Sequence, residues 1–62
     1  MKTDTLLSPP QVEEIYNIPT TTLEQWRFRK VGPAYHKLGK HIRYKARDVD
    51  EWIEKRRVLT MP

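Results

Sequence analysis

The 62 residues carry 12 Lys or Arg against 8 Asp or Glu, a net charge of +4, and no cysteine. A chain of this length makes one domain, residues 1–62, with a core that buries only ~60% of the unfolded surface. A disulfide framework and a Cys-based zinc site are excluded, and no apolar run approaches the ~20 residues of a membrane span.

Met1-Lys2-Thr3-Asp4-Thr5-Leu6-Leu7-Ser8 lacks the apolar core of a signal peptide, so a cytoplasmic location is expected. Ser8-Pro9-Pro10-Gln11 then reads as a helix start. Ser8 can cap, Pro9 suits the first helical position, and Gln11 completes a capping box. Val12, Ile15 and Tyr16 follow at i, i+3 and i+4 as one apolar stripe. Leu6 or Leu7 is placed to staple onto it. Asn17-Ile18-Pro19 closes this helix, because Asn tolerates a left-handed turn and Pro19 cannot continue the ladder.

A second helix restarts at Thr20-Thr21-Thr22, where Thr21 and Glu24 have the spacing of a second capping box. Leu23 and Trp26 mark its buried face, beside the alkyl parts of Arg27 and Lys30. Thr21, Gln25 and Phe28 point the other way. Two short helices joined by a turn of three or four residues outline a helix-turn-helix. Val31-Gly32-Pro33 is the expected stop.

Ala34 to Leu38 and His41 to Lys45 flank Gly39-Lys40, which reads as a β-hairpin. A two-residue loop would pair Leu38 with His41. A three-residue loop would pair Leu38 with Ile42, placing Leu38, Ile42 and Tyr44 on one face and Tyr35, Lys37 and Arg43 on the other. The demand for one buried face favours the second register. A last helix starts near Ala46 or Arg47, with Asp48, Asp50 and Glu51 in its first turns, where the dipole favours acids. Val49, Trp52 and Ile53 form its inward stripe, with Arg56 in line. Lys55, Arg56 and Arg57 sit near its C-terminal end, and Val58 to Pro62 reads as a frayed tail. The expected fold is mainly α with a small β-hairpin: helix, helix, two-stranded wing, helix. Its ordered core runs from about residue 6 to 57, with loose ends.

The charge is unevenly spread. Arg27, Arg29, Lys30, Lys37, Lys40, Arg43, Lys45 and Arg47 fall in one window without an acid, and all 8 acids lie outside it. A one-signed patch costs self-repulsion and is kept for an opposite charge. The densest such partner is duplex DNA, with one negative charge per ~1.7 Å of axis. In a helix-turn-helix the second helix enters the major groove with its N-terminal part on the base edges. Thr20, Thr21, Thr22 and Gln25 are the candidates: threonine can bond a base edge or meet a thymine methyl, and glutamine can pair with adenine. Arg27, Arg29 and Lys30 belong to the same helix and its end, the last two placed for the flanking backbone. Lys37, Gly39, Lys40, His41 and Arg43 form a basic wing that can grip phosphates or an adjacent groove. Plainer readings exist: threonines used for capping alone, and a charged ribbon tip that blocks edge aggregation. Trp26 and Trp52 are expected in the core rather than as stacking platforms.

No catalytic arrangement stands out. Ser8 is a cap, His36 and His41 have no neighbouring acid or nucleophile, and Gly39-Lys40 falls far short of a phosphate-binding loop. Neither an enzyme, a metal site, a cofactor nor a small-molecule substrate is expected.

The chain resembles the excisionase-type, MerR-like winged helix-turn-helix family. The resemblance rests on Leu7-Ser8-Pro9-Pro10-Gln11-Val12, Ile18-Pro19-Thr20-Thr21-Thr22-Leu23-Glu24-Gln25-Trp26, Gly32-Pro33-Ala34-Tyr35 through Gly39-Lys40-His41-Ile42-Arg43-Tyr44, and Asp48-Val49-Asp50-Glu51-Trp52-Ile53. Its stand-alone size is similar to that of temperate-phage excisionases, mycobacteriophage ones among them. Where the family often has Ser or Arg at the start of the reading helix, this chain has Pro19, Thr20 and Thr21. Phe28 stands where a basic residue is common, and Lys30 where glycine is. The resemblance implies a recombination directionality factor that bends duplex DNA and partners a tyrosine or serine integrase towards excision. It also implies head-to-tail copies along DNA and a place in the nucleoid of a bacterial host. Two other functions are compatible with the residues: a small transcriptional regulator of the same fold, and a basic protein-interaction adaptor.

Overall fold

The computed structural model describes residues 5–60, so the loose ends expected at residues 1–4 and 61–62 lie outside the described residues. The elements run β1 (Leu6–Leu7), α1 (Pro9–Tyr16), α2 (Thr20–Phe28), β2 (His36–Leu38), β3 (His41–Lys45) and α3 (Ala46–Glu54). Three helices and a small antiparallel wing make the expected winged helix-turn-helix.

α1 starts as its sequence dictates. The Gln11 N–H donates to Ser8 Oγ at 3.4 Å and the Ser8 N–H to Gln11 Oε1 at 2.9 Å. Asn17 ends the helix in the left-handed region at φ 62°, with its N–H on the Glu13 carbonyl at 2.8 Å. Ile15 leaves the expected stripe: it is 60% exposed while Val12 is fully buried. This short helix meets its neighbours along Val12 and Tyr16, and Ile15 falls on the rim.

α2 departs from expectation at both ends. Pro19, not Thr21, takes the N-cap position at φ −59° and ψ 144°, and no side chain there caps the helix. Pro19 turns the chain straight into a helical Thr20, so Thr21 already lies inside the first turn and the Thr21–Glu24 box does not form. The acceptor comes from α1 instead: the Thr20 N–H donates to Glu13 Oε1 at 3.3 Å, a carboxylate at the positive end of a helix dipole. The helix also stops at Phe28, before Val31-Gly32-Pro33. Lys30 is left-handed at φ 59°; its N–H reaches the Arg27 carbonyl at 3.1 Å and the Val31 N–H the Trp26 carbonyl at 2.8 Å. That pair of bonds is a Schellman motif. Gly32 follows at φ 91°, and a Cβ there would lie 3.0 Å from both Cβ and Cε3 of Trp26.

The strands form one antiparallel sheet in the order β1-β3-β2. β1 pairs Leu6 with Lys45 and Leu7 with Tyr44, so the residues read as a staple are a third strand beside the wing. The hairpin register also corrects the expectation. Leu38 pairs with His41, Lys37 with Ile42 and His36 with Arg43, around a two-residue Gly39-Lys40 loop. Gly39 has φ 65°, which suits a glycine-first tight turn whose twist matches the strands. Leu38 therefore shares a face with His41 and Arg43, and Lys37 shares one with Ile42. Turn chemistry decides here because the tip projects past the core: Leu38 is 50% exposed, so burial places no demand on it.

β3 runs into α3 without an intervening residue. The Ala46 N–H donates to the Thr5 carbonyl at 2.9 Å, and Asp48 occupies the first turn. The buried apolar core is Leu7, Val12, Leu23, Tyr44 and Val49, one from each element except β2. Both tryptophans are half-buried rather than in the core as expected: Trp26 packs against it, Trp52 packs on Trp26 with ring centroids 4.9 Å apart, and Arg56 lies 4.2 Å over the Trp52 ring. Ile53 sits at the edge, more exposed than its expected inward place. α3 ends at Glu54, so Lys55 and Arg57 fall just beyond it and pair with Glu51 at 3.4 Å and Glu54 at 3.7 Å.

Candidate nucleic-acid interface

At 100° per residue, Thr21, Gln25 and Phe28 lie within ~60° of arc on α2, opposite the buried Leu23. Thr21, Glu24, Gln25, Phe28 and Arg29 line one shallow, open concavity. The three threonines do not act together. Thr21 is exposed, whereas Thr20 and Thr22 are half-buried on the flanks. Glu24 puts one acid on this face, repelled by phosphate but able to accept from a cytosine amino group.

The cations divide into groups. Arg29 and Lys30 are exposed at the end of α2, and Lys37, Lys40 and His41 are exposed on the hairpin with Gly39 at its tip. Among the described residues no ion pair engages Arg29, Lys30, Lys37 or Lys40. Arg43 is half-buried, with Nη1 donating to the Ile42 carbonyl at 2.7 Å, on the hairpin face away from Ile42. Lys45 and Arg47 lie at the β3–α3 junction.

Arg27 stands apart from the other cations of α2. It is half-buried, with Nη1 donating to the Tyr44 hydroxyl at 2.8 Å. Its guanidinium lies 5.9 Å from the Tyr35 ring, which itself sits 5.9 Å from the Tyr44 ring. Arg27 thus ties the reading helix to the root of the wing. Tyr44 and Tyr35 were not singled out for this from the sequence, and the register favoured there set them on opposite faces of the hairpin, whereas the two-residue loop brings their rings together. Glu13 was missed as the cap of α2 because a contact between two helices leaves no local spacing.

Apart from Glu24, the acids among the described residues lie on α1 and α3. Glu13 serves α2, Glu51 and Glu54 pair beside α3, and Asp50 Oδ1 accepts from the Tyr16 hydroxyl at 2.6 Å. Burial, then the Asp50 bond and charge, push the Tyr16 hydroxyl up to about 12. Among the described residues no group of His, Asp and Glu could hold a metal ion, and no helix is long and apolar enough to cross a membrane.

Residues 6–57 match the family described as a helix-turn-helix domain. The chain belongs to that family. The helix-turn-helix domain is a binder of double-stranded DNA, and this member has both the helix pair α1–α2 and a wing. None of the curated proteins matches the chain.

Proposed function

We propose that this helix-turn-helix protein binds and bends a specific duplex site and directs an integrase towards prophage excision. The supporting observation is the pairing of two exposed surfaces: an outward α2 face of Thr21 and Gln25, and a wing whose Lys37 and Lys40 have no acid partner among the described residues. α2 enters the major groove with Thr21 and Gln25 on base edges and the half-buried Thr20 and Thr22 beside the phosphates. Arg29 and Lys30 hold the backbone at its far end. Lys37, Gly39, Lys40, His41 and Arg43 lie along the neighbouring backbone or groove. Arg27 holds these two surfaces at a constant separation through Tyr44. Contacts on both sides of a groove favour bent DNA, so sequence-dependent stiffness adds to specificity. The excision role follows from the resemblance to excisionases; a module of this size gains affinity by lining up head to tail and by joining a tyrosine or serine recombinase. Its place of action is then the nucleoid of a bacterial host.

The test is footprinting on the DNA flanking its own gene, with and without the adjacent recombinase. Tandem protected segments beside a recombination site, strengthened by the recombinase, are expected. Protection of a promoter alone, indifferent to the recombinase, would replace this reading with a transcriptional regulator. Tight protein binding with a flat salt dependence would replace it with an adaptor.

A further inference from the structure

The last residue of α2 is its least economical. Phe28 is 88% exposed in a chain whose buried core cluster, among the described residues, is as small as Leu7, Val12, Leu23, Tyr44 and Val49. It packs neither under the wing nor against Trp26 and Trp52. It follows Thr21 by seven positions, which in a helix is ~20° of arc and ~10 Å of rise. Around it on this face stand Thr21, Glu24, Gln25 and Arg29, all polar or charged. A protein-docking patch calls for a contiguous apolar area; one ring within a polar rim is a different feature.

We propose that Phe28 reads thymine through its 5-methyl group, an inference that rests on α2 lying in the major groove as above. A phenyl ring can neither donate nor accept, so phosphate and the polar base edges offer it nothing. In the major groove the exposed apolar group is the thymine methyl. The rise of ~10 Å spans about three base steps of ~3.4 Å. The thymine read by Phe28 therefore lies about three steps from the base read by Thr21. Arg29, next in sequence, holds the backbone beside that step.

Deoxyuridine lacks only the methyl, so the footprinted duplex is remade with each thymine replaced singly by deoxyuridine. Affinities are measured for the native protein, Phe28→Ala and Phe28→Leu. One replacement should weaken native binding roughly fourfold, the effect of one buried methyl group. Phe28→Ala should bind that duplex and the thymine duplex alike, with Phe28→Leu in between. Both variants should keep the native melting temperature, since the ring is in solvent. Native binding indifferent to every replacement would overturn the Phe28 assignment alone. So would Phe28→Ala with undiminished sensitivity, which would pass the methyl contact to Thr21 or Gln25. So would unchanged DNA binding with loss of the recombinase effect, which would make Phe28 a protein contact. Absence of duplex binding by the native protein would overturn the proposed function as well.

Discussion

At the scale of single residues, Lys30 and Gly32 carry opposite costs within one turn. Lys30 occupies the left-handed position of the Schellman motif at φ 59°, where a Cβ costs roughly 1–2 kcal/mol. Lys30→Gly should therefore stabilise the fold by about 1 kcal/mol, several degrees in melting temperature for a domain this small. The same variant should weaken duplex binding if Lys30 grips phosphate, so stability and affinity should move in opposite directions. Gly32→Ala should destabilise, because its Cβ would lie 3.0 Å from Trp26 atoms at a φ of 91°. Calorimetry on the two variants checks both signs. Arg43→Ala is expected to leave the fold intact and to reduce the salt slope of duplex binding by about 1, the share of one phosphate. An unchanged slope would remove Arg43 from the interface. Local chemistry was legible here: Ser8 with Gln11 and Asn17 behave as their neighbours dictate. The Thr21–Glu24 box was not, since a proline one position before Thr20 resets where the helix begins.

At the scale of elements, two tyrosine hydroxyls join parts that the sequence leaves apart. Tyr16 bonds Asp50 at 2.6 Å and so ties α1 to α3. Its folded pKa rises from 10.0 to about 12, so the stability it adds is fully present below pH 10 and is lost as pH climbs towards about 12. Melting curves from pH 9 to 12 should fall more steeply for the native protein than for Tyr16→Phe, which lacks the titrating group. Parallel curves would show that the bond adds nothing. Tyr44 accepts from Arg27, and that contact was beyond sequence reasoning because it depends on how α2 docks against the wing. The wing itself was legible from aromatic and β-branched residues around a glycine. Its register was not, because a tight-turn preference outweighs burial where the ribbon projects into solvent. β1 escaped notice because two residues carry no periodicity.

At the scale of the whole molecule, the order of helices and wing follows from punctuation by Pro9, Pro19, Gly32-Pro33 and Gly39, and from the switch in apolar spacing between them. Stability rests on very few side chains. Trp52 joins α3 to Trp26 at 4.9 Å and carries Arg56 over its ring. Trp52 is half-buried, so Trp52→Ala should cost somewhat less than the roughly 3–5 kcal/mol of a fully buried aromatic, still a large part of the stability of any small domain. Its loss of helical circular dichroism at ambient temperature is the expected outcome; a cooperative transition near the native one would show that the cluster of Leu7, Val12, Leu23, Tyr44 and Val49 suffices. The direct passage from Lys45 of β3 to Ala46 of α3, without a linking residue, gives the molecule no hinge on that side. β1 is bonded to the inner end of β3, at Tyr44 and Lys45, so the root of the ribbon is fixed to the body of the molecule. A load on the tip would be carried into the last helix, which holds Asp48, Asp50, Glu51 and Glu54, so whatever leans on that helix would sense the ribbon's engagement mechanically.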